Sequence, residues 1–131
     1  MINNSLDGLR ILVLEDEMLI AMDVEDMCRQ SGAEHVTIAR SFDQATERQM
    51  DYDAAVIDVM IEGRPTFDFA HLLRQNGIPF VFATGHADDR QMFADFPGVP
   101  VVAKPYSGNA VVTALKTVLE PDGALTPRSS P

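Results

Sequence analysis

The sequence predicts an α/β layered fold built on a five-stranded parallel sheet. Three observations carry that expectation. Short apolar, β-branched runs alternate with segments of helical periodicity five times along the chain. The runs are apolar throughout, as strands covered on both faces must be. The polar residues able to do chemistry cluster at the carboxyl ends of these runs, the edge at which such sheets bind ligands.

Residues 10–15 (RILVLE) form the first expected strand. Residues 17–30 follow with helical spacing, Ile20, Val24, Met27 and Cys28 on one face, and Gly32 as a stop. Residues 35–39 make a short second strand. Ser41 and Gln44 match a capping box and open a helix through about Met50. Residues 54–58 (AAVID) are the third strand, and Glu62, Gly63, Arg64 and Pro65 a loop. The next helix runs to about Gln75 and ends at Asn76 and Gly77. Residues 79–84 (PFVFAT) give the fourth strand. A shorter helix is expected over about 88–95, broken by Phe96, Pro97 and Gly98. Residues 100–103 are the fifth strand. The last helix covers 107–120, with Val111, Leu115, Val118 and Leu119 facing inward. Residues 121–131, rich in proline and serine, read as a disordered tail, so the folded domain is expected over 8–120.

The 131 residues match one domain. Ten basic against twenty acidic residues give a net charge of −10, which disfavours direct binding to nucleic acid or anionic membranes. Cys28 is the single cysteine, so no internal disulfide is possible, and its helical apolar setting predicts burial. Residues 1–8 lack the apolar stretch of a signal peptide, and no run reaches the roughly 18 apolar residues of a membrane span. A reducing cytoplasm is the expected location.

Four strands end in residues suited to chemistry. The first ends in Glu15 and Asp16, followed by Glu17; the third in Asp58; the fourth in Thr84, followed by Gly85; the fifth runs into Lys104 and Pro105. Glu15, Asp16 and Asp58 would bring three carboxylates together, which is costly unless a cation sits among them. A carboxylate can attack phosphorus and become an acyl phosphate. The charge developing on the phosphoryl oxygens needs fixed partners. Lys104, a hard cation such as Mg²⁺, the Thr84 hydroxyl and backbone N–H groups after Asp58 would supply them. Read singly, each residue has a plainer role: Asp58 a loop cap, Glu15 and Asp16 first-turn helix acids, Lys104 a solvated turn, Thr84 a buried hydroxyl. Only the set argues for function.

The stretches LVLEDE, AVIDVMI, FVFATG and AKPY, in this order and spacing, resemble the receiver domains of two-component response regulators over roughly residues 8–120. The resemblance implies a flavodoxin-like (βα)5 fold with strand order 2-1-3-4-5, the chemotaxis-type receiver fold. It implies Asp58 as phosphoacceptor, Asp16 as a direct Mg²⁺ ligand, Glu15 as a ligand through water, and the Met60 carbonyl as a further ligand. Thr84 and Lys104 would hold the phosphoryl oxygens. The donor would be a phosphohistidine on a sensor histidine kinase or a histidine phosphotransfer protein. Such a protein is a signalling phosphoacceptor rather than an enzyme with a substrate of its own, and a monomer is expected. Residues 79–85 (PFVFATG) also look like the "FAT GUY" group of single-domain receivers, although His86 stands where that group has an aromatic.

Two departures bear on mechanism. Most receivers carry Tyr or Phe three residues before the lysine as a switch; here Val101 takes that position, an absence the FAT GUY group shares. Readout is therefore expected through the loop of Gly85 and His86 and the short helix after it, with Asp88, Asp89, Arg90, Met92 and Phe93 as candidate contacts. Met60, two residues after Asp58, cannot position an attacking water, which predicts slow self-hydrolysis unless His86 compensates. Met18, Met22 and Met27 are expected in the core and its rim, Phe67, Phe69 and Tyr106 in packing, and His35 and His71 on the surface without partners.

Two other functions compete. A receiver-shaped binding module could work without phosphorylation. A dehalogenase-type hydrolase also uses an Asp nucleophile with Mg²⁺, but it expects a second Asp where Met60 stands. Neither GxGxxG nor GxxxxGK[ST] occurs, which disfavours nucleotide-binding folds.

Overall fold

The structure is a computed structural model that describes residues 5–47, 50–106 and 109–120. In chain order its elements are β1 (Arg10–Leu14), α1 (Met18–Gln30), β2 (His35–Ala39), α2 (Phe42–Thr46), β3 (Ala54–Asp58), β4 (Met60–Ile61), β5 (Arg64–Pro65), α3 (Phe67–Gln75), β6 (Phe80–Thr84), a 3₁₀ turn (Arg90–Phe93), β7 (Val101–Ala103) and α4 (Ala110–Leu119). Five parallel strands make the main sheet in the order β2-β1-β3-β6-β7. With the hairpin β4–β5 set aside, this is the expected order 2-1-3-4-5.

Side chains alternate across the sheet, and each face has its own core. Ile11, Val13, Ala54, Val56, Val81 and Ala83 pack with Ala21, Val24 and Cys28 of α1 and Val111, Val112 and Leu115 of α4. Leu12, Leu14, Ala55, Ile57, Phe80 and Phe82 pack with Ala45 of α2 and Phe69, Ala70 and Leu73 of α3. Helices therefore cover both faces, and the sheet is doubly wound. Burial pushes the Cys28 thiol up to about 12, so it behaves as a small apolar residue. Gly32 is required where it stands: its φ is +100°, and a Cβ there would lie 2.9 Å from the Asp7 Cα. No helix of the described residues is long and apolar enough to cross a membrane.

Register decides which chain ends meet. Leu14 lies opposite Ala39 and Ile57, Asp58 opposite Ala83, and Thr84 opposite Ala103. Glu15, Asp58, Thr84 and Lys104 thus emerge at one level of the carboxyl edge.

Several elements differ from expectation. The segment expected as a loop from Glu62 to Pro65 is part of a hairpin: Glu62 and Gly63, with φ of 53° and 77°, make a tight two-residue turn, and Arg64 and Pro65 form β5. The helix after Ser41 stops at Thr46, and the positive φ of Met50 (59°) rules out its reaching that residue. The helix expected over about 88–95 is a single 3₁₀ turn. Asp89 caps it by accepting from the Met92 amide at 3.2 Å. Phe93, at the end of the turn, and Phe96, beyond it, both enter the core. Phe93 is consequently buried and not a surface contact. Met18 and Met22 are exposed rather than core or rim, with Leu19 between them. His71 has a partner: its ring lies 4.7 Å from that of Phe96. His35 is exposed beside Glu34 at 3.7 Å. The last strand and helix are described over Val101–Ala103 and Ala110–Leu119. The expected start of that helix at residues 107 and 108, and the tail over 121–131, lie outside the described residues.

Candidate functional site

The parallel register brings Glu15, Asp16 and Asp58 together at the carboxyl edge, one oxygen from each lying within 4.8 Å of the others. Glu15 is buried, the other two half-buried. Lys104 reaches in from beyond β7, its Nζ 2.8 Å from both Glu15 Oε1 and Asp58 Oδ2. One ammonium faces three carboxyl groups, so the cluster carries surplus negative charge when all three are ionised.

Burial is the largest influence on Glu15 and, against the opposing Lys104 hydrogen bond, pushes its carboxyl up to about 7. Burial also works against the Lys104 ammonium, but the hydrogen bonds it donates to Asp58 and Glu15 outweigh it and hold the ammonium above its ordinary range. Tyr106 packs beside the cluster against α4 and its neighbours; burial raises its hydroxyl to about 12, which suits packing.

Backbone groups fix the carboxylates. Glu15 Oε2 accepts from the Glu17 amide at 3.1 Å, and Asp58 Oδ1 from the Met60 amide at 3.3 Å. Asp16 Oδ2 accepts from the Glu62 amide at 2.8 Å, so the left-handed Glu62 aims an N–H at the site. Thr84 is buried at the end of β6, and its hydroxyl oxygen accepts from the His86 amide at 3.0 Å. The Met60 side chain is exposed at the rim, as is His86.

Two contributors escaped the reading of the sequence. Arg40 follows β2 directly and donates from Nε and Nη2 to the Asp16 carbonyl at 3.3 and 3.1 Å. All five strands therefore deliver a residue to this edge. Thr66 is fully buried, and its hydroxyl donates toward the Asp58 carbonyl at 2.6 Å and the Val59 carbonyl at 3.1 Å. The position of Arg40 after the second strand is the signal for it; for Thr66 the sequence carries no signal, since a threonine before a helix ordinarily reads as a cap.

The donor set is oxygen alone, with a charge surplus and one buried carboxyl held up in pKa. That chemistry fits a hard divalent cation.

No protein-family model matches the sequence. No curated protein matches it either. Solved structures do. The response regulator PhyR from Brucella abortus is similar at 29% identity and a TM-score of 0.75, over 89% of this chain and 50% of that one. The PhyR response-regulator receiver domain from Erythrobacter litoralis is similar at 26% identity and a TM-score of 0.76, over 94% of this chain and 97% of that one. The HemR receiver domain from Leptospira biflexa shares the fold at a TM-score of 0.72 and 21% identity, over 93% of this chain and 100% of that one. The chain spans about half the length of the PhyR chains from Brucella abortus and Bartonella quintana. The fold is that of the receiver domains of response regulators, which are signalling proteins.

Proposed function

We propose that the chain is a phosphoacceptor receiver that takes a phosphoryl group on Asp58 from a phosphohistidine donor. The observation that carries this reading is Lys104, 2.8 Å from both Glu15 and Asp58, at the mouth of a three-carboxylate cluster. A carboxylate oxygen of Asp58 attacks phosphorus, the O–P bond forms, and the histidine N–P bond breaks. The electron pair returns to the imidazole nitrogen. Lys104 and the Thr84 hydroxyl then hold phosphoryl oxygens, while Glu15 and Asp16 keep their carboxylates facing the centre. Bound by Glu15, Asp16, Asp58 and the Met60 carbonyl, Mg²⁺ would offset the charge gathered on those oxygens. The donor is a sensor histidine kinase or a histidine phosphotransfer protein, and output passes through protein–protein contacts.

Val101 leaves no switch aromatic on β7, so readout runs through Thr84, the His86 amide it accepts from, and the 3₁₀ turn. Beryllofluoride should shift the backbone amides of residues 84–96; unchanged amides there would exclude this route. Met60 at the rim predicts slow loss of the phosphoryl group, and Met60→Asn should hasten phosphate release.

Intact mass after incubation with acetyl phosphate tests the central reading. A gain of one phosphoryl group that needs Mg²⁺ and is lost in Asp58→Asn is the expected result. No gain with acetyl phosphate, a kinase or beryllofluoride would favour a binding module that works without phosphorylation.

A further inference from the structure

The geometry points to Thr66 as a positioning residue for Asp58. The inference rests on the phosphoacceptor reading of Asp58 and adds a group that never touches phosphorus. Thr66 occupies the N-cap position of α3, where a threonine hydroxyl ordinarily accepts from an amide of the first turn. Here it makes no such cap. The side chain is 0% exposed and turned back toward the strand end, 2.6 Å from the Asp58 carbonyl and 3.1 Å from the Val59 carbonyl. The Thr66 amide donates to that same Val59 carbonyl at 2.9 Å. A favourable local interaction is thus forgone, and the group involved is redirected at the residue before the hairpin. Local rules are broken in this way chiefly at functional sites.

The anchor behind the hydroxyl is rigid. Phe67 follows Thr66 and packs its ring 5.6 Å from Phe82, 6.2 Å from Phe93 and 5.9 Å from Phe96. Those rings belong to the core beneath β6 and the 3₁₀ turn. Thr66 therefore ties the backbone of Asp58 to that aromatic cluster. The Asp58 carboxylate, held at its tip by the Met60 amide and Lys104, is held at its root by Thr66. Fixing both ends limits the swing of the attacking oxygen, and small misplacements of a reacting group cost rate steeply.

The test is the rate of Asp58 phosphorylation at saturating acetyl phosphate and Mg²⁺, read by intact mass beside a thermal melt of each variant. Thr66→Val keeps the shape and removes the hydroxyl; its rate should fall about tenfold while the protein stays folded. Thr66→Ser keeps the hydroxyl and should phosphorylate within about twofold of the parent, even with a lower Tm from the lost methyl. If Thr66→Val does not fold, Thr66→Ala against Thr66→Ser gives the same comparison, both lacking the methyl and differing in the hydroxyl. Equal rates within either pair would overturn the positioning role and leave Thr66 a structural residue. A parent protein that takes up no phosphoryl group at all would instead overturn the reading of Asp58, and the inference with it.

Discussion

The two ends of the sheet carry related charge clusters in different surroundings. At the carboxyl edge Lys104 bridges Glu15 and Asp58. At the amino edge Arg10 bridges Asp51 and Asp53. In each, one cation bridges two carboxylates, and at the carboxyl edge Asp16 adds a third. The Glu15 and Asp58 side chains are 3% and 13% exposed, whereas those of Asp51 and Asp53 are 64% and 31% exposed. Burial pushes Glu15 up to about 7. At the other edge the Arg10 hydrogen bond is the largest influence and holds Asp53 below its usual range. A cation bridging two carboxylates therefore does not by itself decide what a cluster does. Dehydration does: the wet cluster is a minor brace, and the dry one is short of positive charge.

The largest effect should come from removing the bridge at the dry end. Lys104→Met leaves Glu15 and Asp58 facing each other beside Asp16. Breaking a buried pair from one side strands the other charge, so we expect a loss of about 2–3 kcal/mol at pH 8 in urea unfolding. The loss should shrink at pH 5, where Glu15 takes a proton. Phosphorylation of Asp58 should slow by about 100-fold, the scale of one lost oxyanion partner. A variant as stable as the parent at pH 8 would mean the two edges differ less than their burial implies.

The next effect is a sign. Glu15 has a folded pKa of about 7 against an ordinary value of 4.5. A raised folded pKa stabilises the fold below the unfolded value, and that contribution is lost as pH rises through the folded one. Metal-free protein should therefore lose stability from about pH 4.5 to pH 7, on the order of 2–3 kcal/mol. Glu15→Gln should flatten that slope. Mg²⁺ affinity, measured by calorimetry, should tighten as pH rises through about 7 in the parent and change less in the variant. Stability that instead rises over this range in metal-free parent protein would show Glu15 to be ionised and sustained by Lys104.

These two predictions use residues that the sequence itself brought forward, and the reason is physical. Apolar runs such as 54–57 are typical of strands covered on both faces, the usual setting of a parallel sheet, and a parallel sheet sends every strand's carboxyl end to one edge. Glu15, Asp58, Thr84 and Lys104 could thus be placed together from strand ends alone. What the sequence concealed depends on geometry that no period encodes. The segment expected as a helix over about 88–95 is a single 3₁₀ turn, with Phe93 at its end and Phe96 beyond it both in the core. Thr66 looked like a cap because its real partner, the Asp58 carbonyl, lies eight residues earlier and is met only after the hairpin folds back. Met18 and Met22 fit an apolar stripe, yet α1 buries Ala21, Val24 and Cys28 instead and leaves the methionines on its outer side. The helix turns small residues to the core, with Met27 packed at its margin.

The smallest effect belongs to the wet end and carries the opposite sign. Asp53 Oδ2 accepts from the Arg10 amide at 2.8 Å and from Nε at 3.2 Å, which ties the start of β1 to the start of β3. Its folded pKa is lowered. A lowered folded pKa stabilises the fold above the unfolded value, and that contribution fades as pH falls through the folded one. Asp53→Asn should therefore cost a little stability at neutral pH, and the difference from the parent should vanish in acid, where the parent carboxylate is protonated too. Added salt should shrink the difference, because the Arg10 and Asp53 side chains are in part solvated. Phosphorylation of Asp58 and Mg²⁺ affinity should be unchanged, since the two clusters are separated by the length of β3. The decisive comparison is the pair of slopes: stability against pH should fall through Glu15's range and rise through Asp53's, each removed by its own amide variant. If Asp53→Asn altered the slope between pH 4.5 and 7, or Glu15→Gln the slope below it, the two ends would be electrostatically coupled through the sheet and burial would no longer account for their difference.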